Sequence, residues 1–173
     1  MHNQDKQRIK DEAAGKAHIH DRARALLSDI AYRLETIVEL KGVEIINDSR
    51  ATDVASTYYS LELMDKPVVW IAGTNGAEED HALLEKLLRY KVKAIVSFGK
   101  DASGRDFYSQ LEPLVDHYSY YTALDVAVVK AWTLCRKGDA LLFSPGCPGT
   151  DLFTDFRERG GMFNQLIAGI SKG

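Results

Sequence analysis

The chain has 173 residues, two cysteines and a formal net charge of −3, a length that suits one domain or one domain with an arm. The charge balance leaves no basic field for nucleic acid, and no apolar run approaches the ~18 residues of a membrane helix. Two cysteines are too few for a disulfide scaffold and point to a reducing, cytoplasmic setting.

Residues 1–30 are charged, with short apolar patches and no hydrophobic stretch of the secretory kind. Ala23 to Ile30 reads as a short amphipathic helix, and the first twenty residues as a mobile arm. Residues 31–173 read as the folded domain. "LETIVEL" alternates apolar and polar residues, Lys41-Gly42 makes a turn, and "VEIIND" follows, so the spacing predicts a β-hairpin. Asp53 to Met64 is a predicted helix with Asp53 as its N-cap.

"PVVWIAG" is a short continuous apolar run, as expected of a strand buried on both faces. Asp80 to Tyr90 carries a leucine stripe at helical spacing (Leu83, Leu84, Leu87, Leu88). "VKAIVSFG" is the next predicted strand, Ser103 to Leu111 a short helix, and "HYSYY" a short strand. A helix capped by Thr122 is expected to run to Arg136. "ALLFSPG" is the last strand, and Asp151 to Ile170 the last helix, loosened around Gly160-Gly161. This alternation predicts a three-layer α/β sandwich of Rossmann-like type, with a mostly parallel sheet and one antiparallel N-terminal strand.

In such a sheet, ligands sit beyond the carboxyl ends of the strands. Four strand ends are rich in polar residues or glycine: "NDSRATD", "AGTNGAEED", "SFGKDASG" and "SPGCPGTD". In the first, a helix N-terminus would offer N–H groups to an anion, with Arg50 as a bidentate clamp. "GTNGAEED" lacks the Gly-Lys-Ser/Thr of a P-loop and the spacing of a dinucleotide fingerprint. His18 and His20 lack a third metal ligand at convincing spacing. Cys147 precedes a helix N-terminus but has no histidine partner in the sequence, and Cys135 reads as a packing residue. Tyr118, Tyr120 and Tyr121 are expected to cover the sheet edge.

Three stretches occur together: "YRLETIVELKGVEIINDSRATDVAST", "VVWIAGTNGAEED" and "LLFSPGCPGTDLFTDFRERGGMFNQLI". In this order they resemble the C-terminal domain of the Mur ligases, most closely the D-glutamate-adding members. The resemblance covers about residues 30–170. It implies a Rossmann-like domain that closes over a site shared with two further domains, one binding the UDP part and one carrying the P-loop and most magnesium ligands. In a complete ligase, ATP and Mg would activate a carboxylate as an acyl phosphate; neither is expected to be held by this chain alone.

Residue by residue, the resemblance implies that Arg33, Asp48 and Arg50 face the nucleotide. Thr52 and Phe156 would take part in binding D-glutamate or another carboxylate substrate. The family's lysine in the second loop corresponds to Gly76, followed by acidic Glu78, Glu79 and Asp80. The second serine of the family's last loop corresponds to Gly149, with Thr150 as its potential substitute. The frame Ser144-Pro145, Asp151-x-Phe153 and Phe156-x-x-Arg159-Gly160 is present. No residue is expected to be catalytic in the isolated chain. Two readings follow: a lid domain whose partner domains are missing, or a free-standing relative that serves as a non-catalytic ligand-binding module.

Overall fold

Lys41 and Gly42 both take positive φ, 52° and 78°, the combination of a two-residue type I′ hairpin turn. They join β1 (Glu35–Leu40) to β2 (Val43–Asn47), which pair antiparallel. The computed structural model describes residues 3–28, 30–75, 81–148 and 152–172. After the hairpin come α2 (Val54–Glu62), β3 (Val68–Gly73), α3 (His81–Lys91), β4 (Val92–Phe98) and α4 (Ala102–Ser109). A 3₁₀ turn (Glu112–Leu114), β5 (His117–Tyr121), α5 (Leu124–Leu134), β6 (Ala140–Phe143) and α6 (Phe156–Ile170) complete the order. α1 (Asn3–Ser28) precedes the hairpin.

The six strands lie in the order β1-β2-β6-β3-β4-β5, and every pair except β1–β2 is parallel. The expected three-layer sandwich with one antiparallel strand is therefore the observed fold. Its two cores follow from the strand period of two. Val68, Trp70 and Ala72 face Leu61, Leu84 and Tyr108 of α2, α3 and α4. Val69 and Ile71 face Val128, Phe163 and Ile167 of α5 and α6. Because helices cover both faces, β3 and β6 are buried at every position, which is why their sequences are unbroken apolar runs.

Three sequence expectations change. The helix expected over Ala23–Ile30 runs over Asn3–Ser28; it is tied to the sheet by Arg24, which reaches Glu44 of β2. Thr122 does not cap α5: the N-cap is Ala123, which makes no side-chain bond. The last helix begins at Phe156 instead of Asp151, because Asp155 accepts from the N–H groups of Arg157 and Glu158. Glu158 in turn accepts from Thr154 N and Oγ1 at 2.7 Å.

Candidate functional site

The strand order places β6 between β2 and β3. α2 and α3, which follow β2 and β3, pack on one face of the sheet; α6, which follows β6, packs on the other. The chain thus leaves the carboxyl ends of neighbouring strands in opposite directions on both sides of β6, and such switch points open a crevice. The loops after β2 and β6 meet at the first side, and those after β3 and β6 at the second.

Below the first crevice lies a buried polar knot. Asp48 Oδ2 accepts from Ser60 Oγ at 2.6 Å and Ser144 Oγ at 2.7 Å, and Oδ1 accepts from Leu34 N at 3.2 Å. Ser144 Oγ also lies 2.9 Å from Thr57 Oγ1, and Trp70 Nε1 donates to Ser144 O at 2.7 Å. Asp48 and Ser144 are both fully buried. The carboxyl of Asp48, expected to face a ligand, is turned inward and holds the β2 and β6 loops together. Burial pushes its pKa above the ordinary value, against the opposing pull of Ser60, Ser144, the Arg33 charge and the Leu34 N–H.

A second clasp binds the same loops. Arg159 is 1% exposed. Its Nη1 donates to Cys147 O at 2.9 Å and its Nη2 to Ser49 O at 2.8 Å. Gly160 makes this approach feasible, since a Cβ there would stand 2.3 Å from Ser49 Oγ and 2.5 Å from the Tyr32 ring. The expected loosening at Gly160-Gly161 is absent: α6 is continuous, and Gly160 is a close-packing position.

Arg33 enters the site from a strained segment. Tyr32 and Leu34 on either side of it have φ of 64° and 46°, a region costly for residues with a Cβ. The surroundings enforce it. Tyr32 N donates to Glu35 Oε2 at 2.9 Å, Tyr32 O accepts from Arg50 N at 3.0 Å, and Leu34 is buried. Arg33 is half-buried, while Arg50 and Thr52 are exposed on the loop after β2. The half-buried Phe156 packs edge-on to Tyr32, centroids 6.3 Å apart. The Arg50 guanidinium lies 4.8 Å from the Phe156 ring centroid. Arg33, Arg50 and Phe156 therefore share the β2/β6 rim, with Thr52 on the same loop.

The second crevice holds a small pocket lined by residues that include Thr74, Phe98, Cys147, Phe153 and Arg159. Cys147 is buried, and a Cβ at Gly73 would meet its Sγ at 2.3 Å. Gly76, Glu78, Glu79, Asp80, Gly149, Thr150 and Asp151 lie outside the described residues. Among the described residues, no group of three His, Cys, Asp or Glu side chains could hold a metal ion. Likewise, no helix is long and apolar enough to cross a membrane. At the sheet edge, Tyr118 OH meets Ser97 Oγ at 3.1 Å and Tyr120 OH donates to Gly99 O at 2.7 Å.

Sequence reasoning missed Thr57 and Ser60 and gave Arg159 no structural role. The signal for the first two was two hydroxyl residues at i, i+3 on the inner face of α2. For Arg159, the adjoining glycine was the clue.

Residues 32–147 match the family model described as "Mur ligase, glutamate ligase domain". The chain is 35% identical to the UDP-N-acetylmuramoylalanine--D-glutamate ligase of Cytophaga hutchinsonii over 87% of its own length and 34% of that protein's. The corresponding ligase of Porphyromonas gingivalis is 33% identical over 98% of the chain and 38% of that protein. The chain thus spans about a third of the length of the curated relatives it matches. Among solved structures, the murein peptide ligase Mpl of Psychrobacter arcticus shares the fold, with TM-score 0.53 and 13% identity over 82% of this chain and 29% of that one. The family match spans the hairpin, the buried strands and the first half of the β6 loop, so the chain belongs to the Mur ligase family, as a Mur-ligase C-terminal domain.

Proposed function

We propose that this polypeptide is the amino-acid-binding lid domain of an ATP-dependent UDP-N-acetylmuramoyl-alanine:D-glutamate ligase of peptidoglycan synthesis, inactive alone. The observation that carries this reading is the β2/β6 rim. There Arg33 on the segment before β1, Arg50 and Thr52 on the β2 loop and Phe156 at the start of α6 come together where the β2 and β6 loops are locked to each other by Asp48–Ser144 and by Arg159. Arg33 and Arg50 face the phosphates, and Thr52 and Phe156 the incoming amino acid. Asp48 acts by positioning the loop. ATP and Mg belong to the complete enzyme, whose UDP-binding and P-loop domains would supply activation of the carboxylate. The cytoplasmic setting expected from the cysteine content is part of this reading. Closure of the lid would exclude water from the acyl phosphate.

A second reading, a free-standing module that binds another small ligand, is favoured by Gly76 and Gly149, which stand where the family has a lysine and a serine. The test is phosphate release and amide formation, first by the purified chain, then by the chain joined to the UDP- and ATP-binding domains of a D-glutamate ligase. The lid reading expects no turnover from the chain alone and D-glutamate-dependent turnover from the fusion. Amide formation by the lone chain would overturn the inactivity of the isolated domain. A folded fusion that never releases phosphate with D-glutamate would favour the module.

A further inference from the structure

Phe156 is flanked by two guanidinium groups. Arg50 Cζ lies 4.8 Å from its ring centroid and Arg157 Cζ 4.6 Å, with Tyr32 against the ring edge. Arg50 and Arg157 are both exposed. Among the described residues, Arg50 has no carboxylate or hydrogen-bonding partner for its guanidinium, and Arg157 has one, Asp155, at 3.2 Å. That carboxylate also caps α6: Oδ1 accepts from the N–H groups of Arg157 and Glu158 at 2.8 and 2.9 Å, while Oδ2 meets the Arg157 guanidinium. Glu158 is likewise engaged with Thr154. Arg33, half-buried next to Tyr32, adds a third guanidinium, whose charge acts on Asp48. The rim therefore gathers three guanidiniums, and the carboxylates of Asp155 and Glu158 in α6's first turn, held ionised by their hydrogen bonds, offset part of that charge.

Like-charged side chains are costly to gather without an anion between them. Here the aromatic face holds two of them while they keep donors free. Several guanidiniums converging on one rim suit a group with several anionic oxygens, and a phosphate chain is such a group. We propose that Arg157 is a further phosphate-binding residue, acting with Arg50 across Phe156 to take successive phosphoryl groups of a nucleotide or inorganic polyphosphate. The proposal rests on the ligase-domain reading for its biological meaning. Phe156 then has a second task, holding the two arginines at a set spacing. The recognition is of phosphoryl charge and not of the base.

The experiment is titration of the full chain at low salt with inorganic triphosphate, ATP and adenosine, followed by calorimetry and by NMR of the backbone amides. Triphosphate and ATP are expected to bind alike and weakly, through phosphoryl charge alone and without the tight nucleotide site of a complete ligase, and adenosine not at all. Arg157→Ala should weaken both anions about threefold and Arg157→Glu about tenfold. Phe156→Leu should weaken them as Arg157→Ala does. Lys172→Glu, the same charge change at the far end of α6, should leave affinity unaltered, and thermal melts of all variants should match the parent.

The proposal is overturned by a parent chain that binds no triphosphate, by Arg157→Glu binding as the parent does, or by an equal loss in Lys172→Glu. ATP binding that adenosine competes away would assign the affinity to the base and overturn it too. The ligase-domain reading is judged separately, by turnover of the fused domains, so either can fail without the other.

Discussion

Ser144 Oγ donates a 2.7 Å hydrogen bond to Asp48 Oδ2, joining the carboxyl end of β6 to that of β2. Both residues are buried, and Ser60, Thr57 and Leu34 complete the knot. The two residues stand in stretches that resemble ligand loops, yet their contact sets the shape of those loops from below.

Asp48→Asn is expected to be tolerated far better than Asp48→Ala. The hydroxyls of Ser60 and Ser144 can reverse and accept from the amide, whereas alanine leaves buried donors unpaired, at about 1–3 kcal/mol. The pH response separates the variants further. Asp48 has a folded pKa above its ordinary 3.8, so the folded state holds the proton more tightly than the unfolded state. Its contribution is fully present below that ordinary value and is lost as pH rises through the folded pKa. Urea midpoints measured upward from pH 4 should fall for the parent relative to Asp48→Asn; parallel profiles would refute the assignment.

Arg159→Met keeps much of the buried volume but leaves the carbonyls of Cys147 and Ser49 without their shared donor. The expected loss is about 2–4 kcal/mol in urea unfolding. Arg159→Lys should recover little, because one ammonium cannot reproduce the forked geometry.

The two neighbouring glycines of α6 should respond in opposite directions. A Cβ at Gly160 meets Ser49 Oγ at 2.3 Å, while at Gly161 it meets nothing within 4 Å. Gly161→Ala should stabilise by about 0.5–1 kcal/mol through helix propensity. Gly160→Ala should cost about 1–3 kcal/mol, the overpacking outweighing the propensity. Thermal melts of the pair check this, and a stabilising Gly160→Ala would contradict the packing.

Glu44 ties α1 to the sheet through Arg24, and also accepts from Lys66 and Thr36. Burial alone would raise its pKa, but Lys66, Arg24 and Thr36 together hold it below the ordinary 4.5. A depressed folded pKa gives stability that is present above 4.5 and lost as pH falls through the folded value. Glu44→Gln should therefore speed hydrogen exchange and proteolysis within α1 at neutral pH, and acid should produce the same loosening in the parent. Unchanged protection of α1 in the variant would show that the helix is held by other contacts.

Much of the fold was readable because the relevant signals are local. "PVVWIAG" and "ALLF" are too short for helices and too apolar for half-exposed strands, and the strands they form, Val68–Gly73 and Ala140–Phe143, are buried throughout. Asp53 was readable as a cap because its carboxylate serves the N–H of Ser56 just beyond it. The start of α6 was not. Asp151 and Asp155 are both capping residue types, and the choice fell to Asp155, where the Thr154–Glu158 contacts and the Phe156 packing lock the first turn. Gly160 was misread for the same reason: in sequence a glycine weakens a helix, and only its neighbours Ser49 and Tyr32 show why it is there.

The sequence by itself determined the strand–helix alternation, the parallel sheet and the family, since apolar period and motif order are properties of the chain. The tertiary structure decided which way each loop side chain points. A carboxylate such as Asp48 can serve a ligand or the fold, and its neighbours in the sequence do not distinguish the two. The choice is made by groups distant in the chain, Ser144 and Leu34, whose donors reach it only once β2 and β6 lie side by side.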